Sequence, residues 1–392
     1  MLALMKKIAI VICGNLIDRK GLVNAELSRI KYLRDISNYK IDVFAIQICE
    51  SRLIRLLRGN KQQSIQKTLT LDDINIKLLR YNISFINYVF YKLKLMPIVN
   101  KVWIDRYLCL FNSYDLISAH STECGELAMK INKRYRVPYC VTWHGSDIHT
   151  FPFHNRYIKQ KTIRIIENAY TNFFVSDNLK EVSDTLIAKC NKDLLYNGVG
   201  EMFKQYSNFL RNELREKLEV FNKKVIAFVG GLIGIKNILL LPEIFRSVSD
   251  KYGKDLEFWI IGDGKLRTSL VELLSKYDIT NYKLWGNQPV EKMPEFMNVI
   301  DVLVLPSKNE GLPLVTIEAL SCGANVVGSN VGGISEAIGE ENVFDLDENF
   351  VDNISNRIVE MLKGNIEQKL SNKFNWQETA KKENEIYNQI LY

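Results

Sequence analysis

The sequence is poor in groups that react unaided. Its 392 residues hold four histidines and eight prolines, and its seven cysteines (Cys13, Cys49, Cys109, Cys124, Cys140, Cys190 and Cys322) include no Cys-x-x-Cys pair. An odd, scattered set argues against a disulfide framework and against a thiolate zinc site, and suits reduced thiols used as small core residues. Long apolar runs are also missing. Ile8–Cys13 has six residues, too few for a signal sequence or a membrane span, and Gly14 and Asp18 prevent any extension of the run. The expectation is a cytoplasmic protein whose first apolar run is a buried strand. Gly14 is not part of a Gly-x-Gly-x-x-Gly fingerprint, which excludes the usual nicotinamide-dinucleotide turn. His144, His149 and His154 recur at steps of five, which do not share a helix face, so they are not read as metal ligands.

What is present is a strand–helix alternation that runs twice. At this length two domains are expected. Lys7–Cys13, Lys40–Ile46, Ile74–Arg80, Asp115–Ala119, Tyr139–Trp143, Asn172–Val175 and Asp193–Tyr196 read as strands. Helices are expected over Leu22–Asp35, much of Ser84–Asn112, Asn155–Ala169 and from Asp177. A polar stretch around Glu201–Phe221 marks the junction. Strands then follow at Lys224–Val229, Phe258–Ile261, Tyr282–Trp285, Asp301–Leu305 and Asn325–Gly328, with helices at Leu266–Tyr277, Val290–Asn298 and Leu312–Ser321. The predicted fold class is α/β, with two Rossmann-like domains facing across a cleft: residues 1–200, and residues 201–375. Ligands of such sheets bind beyond the carboxyl ends of the strands.

Charge divides along the same line. The formal net charge is +7, from a surplus of 13 cations in residues 1–200 and a deficit of 6 in the remainder. Arg52–Lys67 and Lys92–Arg106 mix cations with Leu, Ile and Trp. Such stretches are either solvated helix faces or surfaces for an anionic membrane, and no motif accompanies them that would point to nucleic acid.

Three segments carry candidate chemistry. Gly230, Gly231 and Gly234 follow a strand and precede Lys236, so the backbone there can approach a phosphate while the lysine adds charge. A plain glycine turn with a surface lysine is the alternative. His144, in Thr-Trp-His-Gly-Ser-Asp, lies just past a strand end, where a ligand would be reached. In Pro306–Glu336, Glu310, Glu318 and Glu336 are the only charged residues after Lys308. Glu318 falls mid-helix among Leu314, Val315, Ile317 and Leu320 and needs donors there, which a ligand diol would provide.

Together these segments resemble the retaining family 4 glycosyltransferases. Glu310 and Glu318 match that family's Glu-x7-Glu motif. TWHGSDI, FFVSDNL, FVGGLIGIKN, FWIIGDGKLR, LWGN, VLVLPSKNEGLPLVTIEALSCG and GSNVGGISEAI occur in its order across most of residues 138–340. Residues 50–110 have no clear counterpart. The resemblance implies the GT-B fold, with a closing helix at residues 376–392 that returns to the first domain. It implies a hexosyltransferase-type enzyme, independent of metal or cofactor, acting on a nucleotide diphosphate sugar and a glycan or lipid-linked acceptor in surface polysaccharide synthesis, peripheral to the inner membrane face. It implies His144 and Glu310 as catalytic residues. Donor contacts would come from Gly14, Asn15, Gly231, Lys236, Gly286, Asn287, Gly311, Leu312, Pro313, Leu314 and Glu318. Glu318 would hold the ribose, Gly286 and Asn287 would lie near the base, and Lys236 would face the diphosphate. One departure stands out: the family usually has arginine where this chain has Gly231. That difference leaves a second reading open, a weakly catalytic homologue serving as a binding or scaffold subunit.

Overall fold

The computed structural model describes residues 5–14, 16, 21–50, 67–83, 103–253 and 255–392. Two compact units divide the chain: Met1–Val175 with Leu179–Leu195 and Trp376–Tyr392, and Ser176–Asn178 with Tyr196–Asn375. Each is built on its own sheet.

In the first unit the strands are β1 (Lys7–Cys13), β2 (Lys40–Glu50), β3 (Thr68–Leu71), β4 (Ile74–Ile83), β5 (Leu116–His120), β6 (Tyr139–Trp143), β7 (Thr171–Phe174) and β8 (Lys192–Leu194). They lie in the order β3-β4-β2-β1-β5-β6-β7-β8. All neighbours pair in parallel except β3 with β4. The residues of β5 and β6 are all buried, as strands covered on both faces require. Helix α1 (Gly21–Ile36) follows β1 and buries Val23, Leu27, Ile30 and Leu33, an i, i+4, i+7, i+10 stripe.

Several details depart from the sequence reading: β2 and β4 run on to Glu50 and Ile83, and a helix over Ser121–Tyr135 was not expected. The strand expected at Asp115–Ala119 runs one residue later, because Asp115 turns its carboxylate to accept from the Lys7 amide at 2.8 Å. His120 thereby becomes the last residue of β5. An edge hairpin, β3–β4, was not expected. Its two-residue loop, Asp72–Asp73, has φ of 47° and 61°, a left-handed pair that twists with the strands but carries none of the usual glycine signal. The Arg52–Lys67 stretch, apart from Lys67, and Lys92–Arg106 up to residue 102 lie outside the described residues, as does Asn15. The described end of the Ser84–Asn112 segment, from residue 103, is helical and closes on a 3-10 turn at Leu108–Phe111.

The second unit holds β9 (Lys224–Val229), β10 (Leu256–Ile261), β11 (Tyr282–Gly286), β12 (Val302–Leu305), β13 (Asn325–Ser329) and β14 (Val343–Phe344). Their order is β11-β10-β9-β12-β13-β14, parallel throughout. Helix α2 (Leu241–Tyr252) presents Leu241, Ile244, Phe245 and Val248 to the core, where Phe245 stacks on Phe258 with ring centroids 4.2 Å apart. Helix α3 (Phe350–Leu362) buries Ile354, Ile358 and Leu362 in the same cluster. Neither helix was expected, although both show the helical period.

Helix α4 (Trp376–Leu391) belongs to the first unit. It is tied there by a buried ion pair, Arg29 Nε to Glu383 Oε2 at 2.6 Å, and by Tyr387, whose hydroxyl donates to Ser118 Oγ at 2.7 Å. Removing one partner of such a pair leaves an uncompensated charge and costs about 3–5 kcal/mol.

Candidate active site

The strand order of the second sheet reverses between β9 and β12: β10 and β11 continue to one side, β13 and β14 to the other. Loops leaving the carboxyl ends of two such strands diverge and open a crevice. Here the loop after β9 runs through Gly230, Gly231 and Gly234 to Lys236, and the loop after β12 runs through Ser307 to Glu310. The structure brings them together. The Lys308 amide donates to the Ile235 carbonyl at 2.8 Å, and Lys236 Nζ lies 2.5 Å from Glu310 Oε1. Ser307, fully buried, donates its hydroxyl to the same carboxylate oxygen at 2.7 Å. Glu310 thus has two donors and is 10% exposed, whereas Lys236 is 23% exposed and has donor capacity left for a ligand.

Glycines allow this closeness. A Cβ on Gly332 would come within 1.9 Å of the Glu310 carbonyl oxygen, and one on Gly333 within 2.3 Å of the Gly311 oxygen. The Gly333 amide also donates to the Gly311 carbonyl at 2.8 Å. This pair therefore carries the Glu310 loop on its backbone, a role the sequence reading did not assign. On the other side Gly230 packs against Gly262, whose amide donates to the Gly286 carbonyl at 2.8 Å. Gly231 differs from these. Its φ is not positive, and a Cβ there would meet only Ile233, at 3.9 Å.

Helix α5 (Leu314–Ser321) follows directly. It starts two residues later than expected, because Pro313 is its N-cap, with extended φ and ψ of −71° and 113°, rather than part of its first turn. No side chain caps it; the Thr316 amide turns back to the Pro313 carbonyl at 3.1 Å, and the amides before it are left to a ligand or solvent. Gly311, Leu312, Pro313 and Leu314 form the approach to that terminus. Glu318 sits one turn in, partly exposed, with no hydrogen bond to its carboxyl among the described residues. Burial pushes that carboxyl up to about 7. Asn287 follows Gly286, which has φ of 65° at the end of β11.

The remaining expected residues lie in the first unit. Gly14 follows β1, where a Cβ would press to 2.7 Å on Val23 of α1. His144 follows β6, its amide and that of Gly145 turned to the Asp147 carboxylate, at 2.8 Å for Gly145. Its ring meets His120, which the sequence reading passed over: His144 Nε2 lies 3.0 Å from His120 Nδ1. Glu26 of α1 completes a cluster in which one ligand-type atom from each of Glu26, His120 and His144 lies within 4.8 Å of the others. No arrangement of this kind includes His149 or His154 among the described residues.

Comparison with known proteins agrees with this architecture. Residues 211–382 match the family described as glycosyl transferases group 1. A Bacillus subtilis glycosyltransferase assigned to teichuronic acid biosynthesis is 27% identical over 228 residues, which are 58% of this chain and 56% of that protein. The match therefore spans little more than half of that relative's length. A UDP-Gal:α-D-GlcNAc-diphosphoundecaprenol α-1,3-galactosyltransferase of Escherichia coli is 26% identical over 314 residues, 70% of this chain and 75% of that one. Among solved structures, sucrose-phosphate synthase of Thermosynechococcus elongatus superposes with a TM-score of 0.78 at 16% identity, covering 98% of this chain and 99% of the other. The Anabaena protein HepE, solved with UDP-glucose, gives 0.68 at 17% identity and 98% coverage of each chain. With a largely parallel sheet in each unit and the candidate site at the second sheet's switch point, the chain has the GT-B fold, and its residues 211–382 are similar to the glycosyl transferases group 1 family.

Proposed function

We propose that the chain is a retaining glycosyltransferase that moves a sugar from a nucleotide diphosphate sugar to a glycan or lipid-linked acceptor in surface polysaccharide synthesis. The observation that carries this reading is the Lys236–Glu310 pair at the switch point of the second sheet, beside an uncapped helix N-terminus. A diphosphate needs fixed positive charge and amide donors, and this corner offers both. Lys236 and the amides of the Gly311–Leu314 approach hold the leaving diphosphate, Glu318 accepts from the ribose hydroxyls, and Gly286 and Asn287 border the base. Glu310 orients the sugar, and the family resemblance assigns His144 the contact near the reacting carbon. The Gly14 loop, with Asn15, serves the diphosphate. The anomeric carbon–phosphate oxygen bond breaks while the acceptor oxygen bonds to the same face. The acceptor's proton passes to the leaving phosphate oxygen, so no protein nucleophile, metal or cofactor is required.

The names of the relatives guide the choice of ligands, with a UDP-sugar as donor and a diphosphoundecaprenyl-linked sugar as acceptor. No helix among the described residues is long and apolar enough to cross a membrane. Contact with the inner membrane face is assigned to the basic Arg52–Lys67 and Lys92–Arg106 stretches because they mix cations with apolar side chains. Gly231 favours a second reading, a weakly catalytic binding subunit, because one cation that the family places at the diphosphate is missing. A thermal-shift panel of UDP, GDP and their sugars, followed by donor turnover with the lipid-linked acceptor, tests both. Stabilisation with turnover supports the enzyme, and stabilisation without turnover supports the binding subunit. No shift with any nucleotide would overturn the donor site.

A further inference from the structure

The first sheet also reverses its strand order, between β1 and β5, and the Glu26–His120–His144 cluster stands at that reversal. His120 is the last residue of β5, Glu26 lies on the helix that follows β1, and His144 comes just after β6, the neighbour of β5. Glu26 and His120 are 0% and 1% exposed, and both carboxyl oxygens of Glu26 are buried without a hydrogen-bond partner. His120 Nδ1 is the shared atom: it lies 3.0 Å from His144 Nε2 and 3.7 Å from Glu26 Oε1. The other ring nitrogen of His144 has no hydrogen-bond partner among the described residues.

We propose that Glu26 and His120 are positioning residues that fix the tautomer of His144, holding the pair's shared proton on His120 Nδ1 so that His144 accepts at Nε2 and presents an Nδ1–H. The inference rests on the role proposed for His144 in sugar transfer and names the donor it would offer, an N–H for an oxygen of the sugar or of the leaving group. Two neutral rings joined by one hydrogen bond have only two arrangements, with the proton on either nitrogen of the bond. Burial and the nearby Arg29 guanidinium keep both rings neutral, His120 well below the usual imidazole range and His144 at about 3. Glu26, whose carboxyl is raised well above the usual range by burial, then selects between the arrangements through an oxygen that carries no proton. An oxygen lone pair facing Nδ1 attracts an N–H there and repels a bare nitrogen lone pair. Chelation fits less well. Two nitrogens about 2.05 Å from a tetrahedral zinc stand roughly 3.3 Å apart, more than the separation here, and Arg29 already brings a positive charge to the site.

The test reads the rings directly. With only four histidines in the chain, long-range ¹H–¹⁵N spectra of imidazole-labelled protein contain four ring systems, assigned by His120→Gln, His144→Gln, His149→Gln and His154→Gln. The expected result, without nucleotide, is His144 with Nδ1 protonated and Nε2 as acceptor. Glu26→Leu should move it to the other tautomer or to a mixture. Glu26→Gln, which keeps an acceptor oxygen, should preserve the wild-type pattern and guards against misfolding of the leucine variant. In turnover, Glu26→Leu should lower kcat about tenfold or more with little change in donor KM, the split expected when a group is misaligned and ground-state binding is intact. His144 protonated at Nε2 in the wild type, a tautomer indifferent to Glu26→Leu, or stoichiometric zinc shifting both rings together would each overturn the proposal. Failure of sugar transfer in the wild type, with the spectra as expected, would count against the function and leave the tautomer assignment standing.

Discussion

Lys236 Nζ lies 2.5 Å from Glu310 Oε1, so a residue after β9 and one after β12, 74 positions apart, hold each other at the point where the second sheet reverses its order. An incoming diphosphate must share Lys236 with this carboxylate, whose second donor, Ser307, keeps it satisfied while the lysine turns. That relation leads to the first prediction. Lys236→Ala should weaken nucleoside diphosphate and nucleotide sugar alike, by roughly 10- to 100-fold, the worth of a charge-assisted hydrogen bond. Glu310→Gln should leave free nucleoside diphosphate bound at least as tightly while reducing transfer by orders of magnitude. Calorimetric titration beside turnover separates the two, and equal losses for both ligands in both variants would count against distinct roles.

Gly231 has room and ordinary backbone geometry. Gly231→Arg should therefore fold with an unchanged melting temperature and bind nucleoside diphosphate more tightly, since a second cation would face it. The gain should shrink with added salt. Affinity no better than wild type at low salt would mean that the loop does not direct this position toward the phosphates.

Gly332 makes the opposite case. Its φ of 56° and the 1.9 Å approach to the Glu310 oxygen leave no space for a methyl group. Gly332→Ala should cost roughly 1–3 kcal/mol and displace the Glu310 loop. Chemical denaturation should show the loss of stability, and turnover should fall further than nucleoside diphosphate binding does.

Glu318 predicts a pH effect of definite sign. A carboxyl raised from 4.5 to about 7 by burial keeps its proton better in the folded chain than in the unfolded one. Stability therefore falls as pH rises through that window and levels off above it. Glu318→Gln should remove this slope, matching wild type near pH 4 and melting higher at pH 8. The gain should be about 2–4 °C, the shift of roughly 1 kcal/mol in a domain of this size, because the carboxyl's open edge is screened by solvent. The same variant should bind ribonucleotides less well. A melting difference that did not change with pH would contradict the assignment.

The paired histidines carry the reverse sign. His120 and His144 resist protonation in the fold, so the stability they contribute is present above the ordinary imidazole value of 6.5 and is lost as pH falls below it. His120→Gln should make the decline in melting temperature between pH 6.5 and 5 shallower than in wild type, as read by calorimetry.

Much of the second unit was legible in the sequence because fully buried parallel strands are unmixed apolar runs. Lys224–Val229 was read with its observed bounds, and the other four expected strands lie within a residue or two of the observed ones. The helices at Leu241–Tyr252 and Phe350–Leu362 were missed although Ile244, Phe245 and Val248, or Ile354 and Ile358, carry the period. The hairpin at Asp72–Asp73 was missed for a better reason. Nothing local distinguishes an aspartate forced into the left-handed region by strand pairing from one in an ordinary turn.

Residue type and local order determined which segments alternate, where the loops fall, and which few charged and glycine residues those loops contain. The sequence by itself therefore determined the fold class and the identity of Lys236, Glu310, Glu318 and His144 as the groups worth examining. What only tertiary structure decided is which of them touch. Strand order is set by how whole helices cover the sheet, and it is this order that joins Lys236 to Glu310 across 74 residues and seats the Glu310 loop on Gly332 and Gly333. The same long-range ordering in the first unit placed Glu26 and His120 beside His144, a grouping that residues 118 and 24 positions distant could not announce from local pattern.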